Sequence, residues 1–127
     1  MSDAESSENR PFGILLSQDL FFGSKVTGTA QALGLRVESL GNAARLAERL
    51  SSGNCRSVLI DLAMPGLDLA EIVSAAHSAA SAPRVIAFGA HVQTTQLEAA
   101  RDAGCDEVMP RSKFSATLPD ILRASLS

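Results

Sequence analysis

The sequence predicts an α/β domain, a doubly wound five-stranded parallel sheet of order 2-1-3-4-5 built from five strand-then-helix repeats. Three observations predict it. Ile14-Leu15-Leu16, Val58-Leu59-Ile60 and Val85-Ile86-Ala87-Phe88 are short, unbroken apolar runs, the pattern of strands buried on both faces. Amphipathic stretches at helical spacing separate these runs. Right-handed crossovers leave few topologies, and this order sets the one alternating strand at an edge.

Residues 1–11 carry Asp3, Glu5, Glu8 and Arg10 and few apolar side chains, so they are expected to form a disordered tail before a domain over 12–127. Strand 1 follows at Ile14-Leu15-Leu16. Phe22, Val26, Ala30 and Leu33 then recur at helical spacing, although Gly23, Gly28, Thr27 and Thr29 lower helix propensity. Leu35-Arg36-Val37-Glu38 alternates, as a half-exposed edge strand does. Asn42 is placed to cap a helix that presents Ala43, Leu46, Ala47 and Leu50. After the third strand, Asp68-x-x-Glu71 has the form of a capping box, followed by Ile72, Val73, Ala76 and Ala79. Leu97 and Ala100 mark a fourth helix that ends near Gly104. Val108-Met109 is the weakest strand signal. Phe114, Leu118, Ile121 and Leu122 mark the fifth helix, where Pro119 is tolerable only in a first turn.

Composition excludes several classes of function. A chain of 127 residues with 46% hydrophobic residues makes one domain with a real core. A net charge of −3, two of those charges in the first eleven residues, argues against a duplex-binding face. With no Trp or Tyr and five Phe, base-stacking platforms are not expected either. No apolar run approaches the roughly 20 residues that span a bilayer, and the polar, acidic start is unlike a signal peptide. Cys55 and Cys105 read as reduced, buried small hydrophobes, and the expected location is the cytoplasm. His77 and His91 lack partners at metal-ligand spacing. Gly23-Ser24-Lys25 lies within a helical pattern and lacks the earlier glycine of a P-loop. No nucleophile–base–orienter trio is visible, so no enzyme is expected.

In a sheet of this order the functional crevice lies beyond the carboxyl ends of strands 1 and 3. That selects Ser17, Gln18 and Asp19 after the first strand and Asp61 after the third. Val58-Leu59-Ile60-Asp61-Leu62-Ala63-Met64-Pro65-Gly66-Leu67-Asp68 resembles the phosphoacceptor strand and loop of response-regulator receiver domains, the CheY-like family. The resemblance runs from about Phe12 to Leu126 and includes Ala103-Gly104-Cys105-Asp106-Glu107 before strand 5. It implies the flavodoxin-like receiver fold, with Asp61 at the phosphoacceptor position.

The departures from the family pattern weigh as much as the match. The acidic pair that helps hold Mg²⁺ is replaced by Ser17 and Gln18, with Asp19 one place on as an expected helix cap. The hydroxyl residue expected after strand 4 is Gly89, the aromatic of strand 5 is Val108, and the Lys and Pro after it are Arg111 and Ser112. One carboxylate beside an amide and a hydroxyl is a poor magnesium site, so no metal is expected and Asp61 would be a plain surface acid. Arg111 is expected near Asp61, partly replacing the metal.

The resemblance therefore implies a degenerate receiver, or pseudo-receiver, acting in signal transduction as a protein-interaction module without Mg²⁺-dependent phosphorylation. The alternative is a working receiver in a two-component phosphorelay. There, a histidine kinase phosphorylates Asp61 with Mg²⁺, and Arg111 or Lys113 stands in for the Lys. A small-ligand binder on the same sheet is the third reading. With nothing after residue 127, no DNA-binding output is expected within the chain. The expected partner is another signalling protein, or a second copy in a homodimer. The expected face is the fourth helix, fifth strand and fifth helix, which is the family's contact surface. No nucleic acid or membrane partner is expected.

Overall fold

A computed structural model describes residues 10–126. Its strands are β1 (Phe12–Leu16), β2 (Val37–Leu40), β3 (Cys55–Asp61), β4 (Arg84–Gly89) and β5 (Glu107–Pro110). All pair in parallel, in the order β2-β1-β3-β4-β5 that the sequence predicts. The helices are α1 (Leu20–Ala32), α2 (Leu46–Leu50), α3 (Leu69–Ser78), α4 (Thr94–Asp102), α5 (Arg111–Ala116) and α6 (Leu118–Leu126). Among the described residues no helix is long and apolar enough to cross a membrane.

Side chains alternate across the sheet and divide the interior into two cores. Ile14, Leu16, Val58, Ile60, Val85 and Ala87 pack on the side that holds α2, α3 and α4. Leu15, Leu59, Ile86 and Phe88 pack on the other side, against Phe22, Val26 and Ala30 of α1 and Phe114, Leu118 and Leu122 of α5 and α6. Strands buried on both faces explain the unbroken apolar runs.

Boundaries differ from the sequence reading in three places. The edge strand starts at Val37, not Leu35, because residues 33–35 close α1. Gly34 takes a φ of +73°, its N–H reaches the Gln31 carbonyl, and the Leu35 N–H reaches the Ala30 carbonyl. That pair of bonds is a Schellman motif, and it consumes the residue that appeared to begin the strand. The second helix is short. Asn42 does accept from the Ala44 N–H at 2.9 Å, but it opens a 3-10 turn over Ala43–Arg45, and α2 buries Leu46 and Leu50 while Ala47 is exposed. The fifth helix is two helices, broken at Thr117. Pro119 sits in the first turn of α6, where its missing N–H costs nothing, and it bars α5 from running on.

Residues 1–9 of the expected tail lie outside the described residues. Arg10 donates to the Gly34 carbonyl at 2.9 Å. Cys55 is buried as expected, whereas Cys105 is half-buried. Both thiols are free, and burial pushes each up to about 11.

Two glycines in and after α1 should respond oppositely to Ala. Gly28 is exposed in mid-helix, with no atom within 4 Å of an added Cβ, so Gly28→Ala should raise unfolding stability by about 0.5–1 kcal/mol. Gly34→Ala should lower it by about 1–2 kcal/mol, because only glycine takes that backbone without strain. Urea unfolding midpoints of the two variants check both signs.

Candidate functional site

Four strand ends converge on the crevice. β1 delivers Ser17, Gln18 and Asp19; β3 delivers Asp61; β4 delivers Gly89; and β5 leads directly into Arg111. Asp61 is not the surface acid expected from the sequence. It is 3% exposed. The central strand is buried to its last residue, and the chain turns back over it, the Ala63 N–H donating to Asp61 Oδ1 at 3.0 Å. Ser17, itself buried, donates its hydroxyl to Asp61 Oδ2 at 2.7 Å. Both oxygens of the carboxylate are thus answered from inside the protein, as burial of a polar group requires.

Ser17 also ties the two neighbouring loops together, since its Oγ accepts the Asp19 N–H at 3.1 Å. Gln18 is exposed and donates its side-chain amide to the Gly41 carbonyl at 3.0 Å. Asp19 caps α1 as predicted, accepting from the Phe22 N–H at 3.0 Å. The capping bond and then the Arg111 guanidinium hold its carboxyl below the usual carboxylate range.

The second correction concerns Arg111. Its guanidinium pairs with Asp19 Oδ2 at 2.7 Å, not with Asp61, and lies 4.1 Å from the centroid of the Phe22 ring. The reason is chemical. Asp19 keeps one oxygen free at a half-exposed helix start, while the Asp61 oxygens are already engaged. Under Arg111 lies a feature the sequence reading did not single out, a cluster of three phenylalanines. Phe88 of β4 stacks on Phe114 of α5 at 4.2 Å between centroids, and Phe22 sits 5.2 and 5.9 Å from them. Phe88 is also the residue paired with Asp61 across the sheet.

Gly89 is closed in by its neighbours. A Cβ there would stand 3.3 Å from Leu62 Cβ and Cδ1 and 3.6 Å from Leu97 Cδ2. The hydroxyl side chain that the family resemblance leads one to expect would need Leu62, a buried residue next to Asp61, to give by a few tenths of an ångström. Val108 is half-buried on β5, and Lys113 is exposed on α5.

Magnesium takes octahedral oxygen ligands and is usually held by one or two carboxylates. The residues at this crevice do not fit it. Two carboxylates are present: the Asp61 oxygens each already accept a hydrogen bond, and the Asp19 carboxylate is spent on its cap and on Arg111. Among the described residues no cluster of three or more His, Cys, Asp or Glu gathers anywhere. His77 pairs instead with Asp106 at 2.9 Å.

No protein-family model matches the chain, and no curated protein matches it in sequence. Solved structures do resemble it. A response regulator from Hahella chejuensis superposes with a TM-score of 0.77 at 13% identity, over 92% of this chain and 96% of that one. A response-regulator signal receiver domain from Bermanella marisrubri gives 0.76 at 17% identity, over 93% and 99%. The receiver domain of a Pseudomonas aeruginosa sensor histidine kinase, solved with a magnesium ion coordinated in its active-site cleft, gives 0.74 at 18%, over 92% and 98%. The chain therefore has the flavodoxin-like fold of receiver domains.

The Ser17–Asp61 bond makes a quantitative prediction. Ser17→Ala strips a buried carboxyl oxygen of its donor, and should cost about 1–3 kcal/mol of stability. Ser17→Thr keeps the donor and should cost less, provided its methyl is accommodated. Chemical unfolding of the two variants separates the hydrogen bond from simple loss of volume.

Proposed function

We propose that the chain is a receiver-fold signalling module that works by binding another protein, with Asp61 silent as a phosphoacceptor. One observation carries the reading. The carboxylate that would accept a phosphoryl group is buried, its two oxygens are held by Ser17 and Ala63, and the Asp19 carboxylate of the same crevice is taken up by its helix cap and Arg111. Phosphoryl transfer is catalysed almost entirely by positioning and by neutralising charge on the transferred group. Ser17 and Gln18 supply no negative charge, and Arg111 is paired with Asp19. A bound phosphoryl group would also find little to move. Gly89 offers it no hydroxyl, Val108 is no aromatic latch, and a ligand shifts an equilibrium only through contacts that differ between states.

On this reading the protein is a non-enzymatic cytoplasmic component that needs no magnesium, and it docks on another signalling protein or on a second copy. A groove of about 440 Å³ between the β4–β5 edge of the sheet and α6, with no residue of α4 in its lining, supports contact near the fifth strand and the last helix. Ile86 and Ile121 line it beside Arg84, Glu107 and Asp120. An apolar floor with a charged rim is the anatomy of a transient protein interface. The family's contact face, which the resemblance places on the fourth helix, fifth strand and fifth helix, is tested separately: charge reversal at Arg101 or Lys113 should weaken partner binding.

Incubation with acetyl phosphate at millimolar Mg²⁺, comparing the protein with Asp61→Asn, tests the silent site. The expected result is no gain of phosphoryl mass and an unchanged amide NMR spectrum. Stoichiometric, Asp61-dependent phosphorylation with shifts in α4 and β5 would restore a kinase-driven switch.

A further inference from the structure

The sheet ends in two edge strands, β2 and β5, and the β2 edge is open. Gly13 donates its N–H to the Arg36 carbonyl at 2.9 Å, Ser17 donates to the Leu40 carbonyl at 3.2 Å, and the parallel register sets Gly13 beside Val37 and Leu15 beside Ser39. In such a ladder the backbone groups of Arg36, Glu38 and Leu40 face β1, so the N–H and C=O groups of Val37 and Ser39 point away from the sheet. Among the described residues no backbone group answers them on that outer side. Proteins blunt an exposed edge with proline, lysine or a bulge. The β2 sequence, Val-Glu-Ser-Leu, holds neither residue, and its register with β1 runs without a break. Just past the strand, the Gly41 carbonyl accepts the Gln18 side-chain amide at 3.0 Å, which closes the edge there and leaves Val37 and Ser39 open.

Both flanks of this edge have room and charge for another strand. On the α1 side Ser39 is exposed, Gly23 has no side chain, and a cleft of about 170 Å³ opens where Ser24 and Thr27 of α1 meet Ser39. On the α2 side Arg36 and Arg49 both bond to Glu38, at 2.6 and 2.7 Å, and both lie over the Phe12 ring. Two guanidiniums on one carboxylate leave this cluster one positive charge in excess. Just before the strand, Arg10 donates to the Gly34 carbonyl, and among the described residues no carboxylate pairs with it. The chain as a whole is acidic, at −3, so an edge with excess positive charge stands apart from its average. That excess, rather than either paired arginine alone, is what an incoming segment meets.

We propose that β2 takes on a sixth strand from a partner protein, an extended acidic segment whose backbone bonds to Val37 and Ser39 and whose alternate carboxylates face the Arg36–Glu38–Arg49 cluster. In strand addition the main-chain bonds supply affinity and the alternate side chains select the partner. A second copy pairing edge to edge would set two cationic clusters against each other, which disfavours it. This edge lies across the sheet from the groove lined by Ile86 and Ile121, and it does not depend on whether Asp61 accepts a phosphoryl group.

The test follows amide exchange and chemical shifts of isotope-labelled protein. In the free protein the Val37 and Ser39 amides should exchange about a hundredfold faster than those of Glu38 and Leu40, whose N–H groups face β1. A short peptide alternating Glu with Val should protect Val37 and Ser39, and should bind about tenfold more tightly than the same peptide with Lys in place of Glu. Two further versions are N-methylated on alternate residues, one in each phase. One should bind and the other should not, because an added strand bonds through a single edge of its backbone. Val37→Pro removes an outward N–H while sparing the ladder to β1, and should weaken binding about tenfold. The methylated peptides make the same test on the unaltered protein. Asp61→Asn should bind as the parent does, so that failure here is separable from failure of the silent-site reading. Slow exchange at Val37 and Ser39 in the free monomer, equal binding of the Glu and Lys peptides, no binding, or shifts confined to other elements would overturn the proposal. So would protection of Val37 and Ser39 that rises with protein concentration alone, which makes a second copy the occupant.

Discussion

The crevice is organised by the need to satisfy a carboxyl group at the end of a strand buried on both faces. Asp61 lies where β3 leaves the sheet, out of contact with bulk water, and an unanswered polar group there costs on the order of 1–3 kcal/mol, more if charged. Ser17 and the Ala63 N–H answer it. Because Ser17 also accepts from the Asp19 N–H, the same hydroxyl fixes where α1 starts. Two loops from different strands are pinned by one short side chain.

The rest of the site follows from that choice. With Asp61 satisfied internally, Asp19 is free to cap α1 and to hold Arg111, which in turn settles on the Phe22 ring. Phe22, Phe88 and Phe114 then fill the space between α1, β4 and α5, Phe88 stacked on Phe114 and Phe22 tilted against both. On the neighbouring strand position, Gly89 leaves room for Leu62 to pack across the end of β4. Asp19, Arg111 and the three phenylalanines are thereby engaged with one another. On the proposed reading, this is a scaffold with one resting arrangement.

The sheet was legible in the sequence because its strands are buried on both faces and read as apolar runs. The order 2-1-3-4-5 followed from crossover handedness and from the weak pattern at Leu35–Glu38. What misled was local. Leu35 looked like strand, but the Gly34 turn used its N–H to close α1. Phe114 to Leu122 looked like one helix, and only the geometry around Thr117 and Pro119 shows two. At the site, the positions of Ser17, Asp19, Asp61, Gly89 and Arg111 at strand ends were readable from topology. Their partners were not, because hydrogen bonding across loops leaves no periodic trace. A serine after strand 1 reads as the loss of an acid, whereas in three dimensions it is the group that holds Asp61. Burial of the Asp61 side chain was missed for the same reason, since it depends on a loop that folds back.

The proposed silent site rests on an Asp61 carboxylate whose oxygens are held by Ser17 and Ala63 and do not take up a divalent cation. The most direct measurement is a magnesium chloride titration of isotope-labelled protein, following the Asp61 side-chain carboxyl carbon and the amides of Ser17, Gln18, Leu62 and Ala63. The account predicts no saturable shift at these nuclei through millimolar magnesium, beyond the uniform drift that ionic strength produces. A saturable, localised shift of the Asp61 carboxyl and the Ala63 amide, absent in Asp61→Asn, would contradict it.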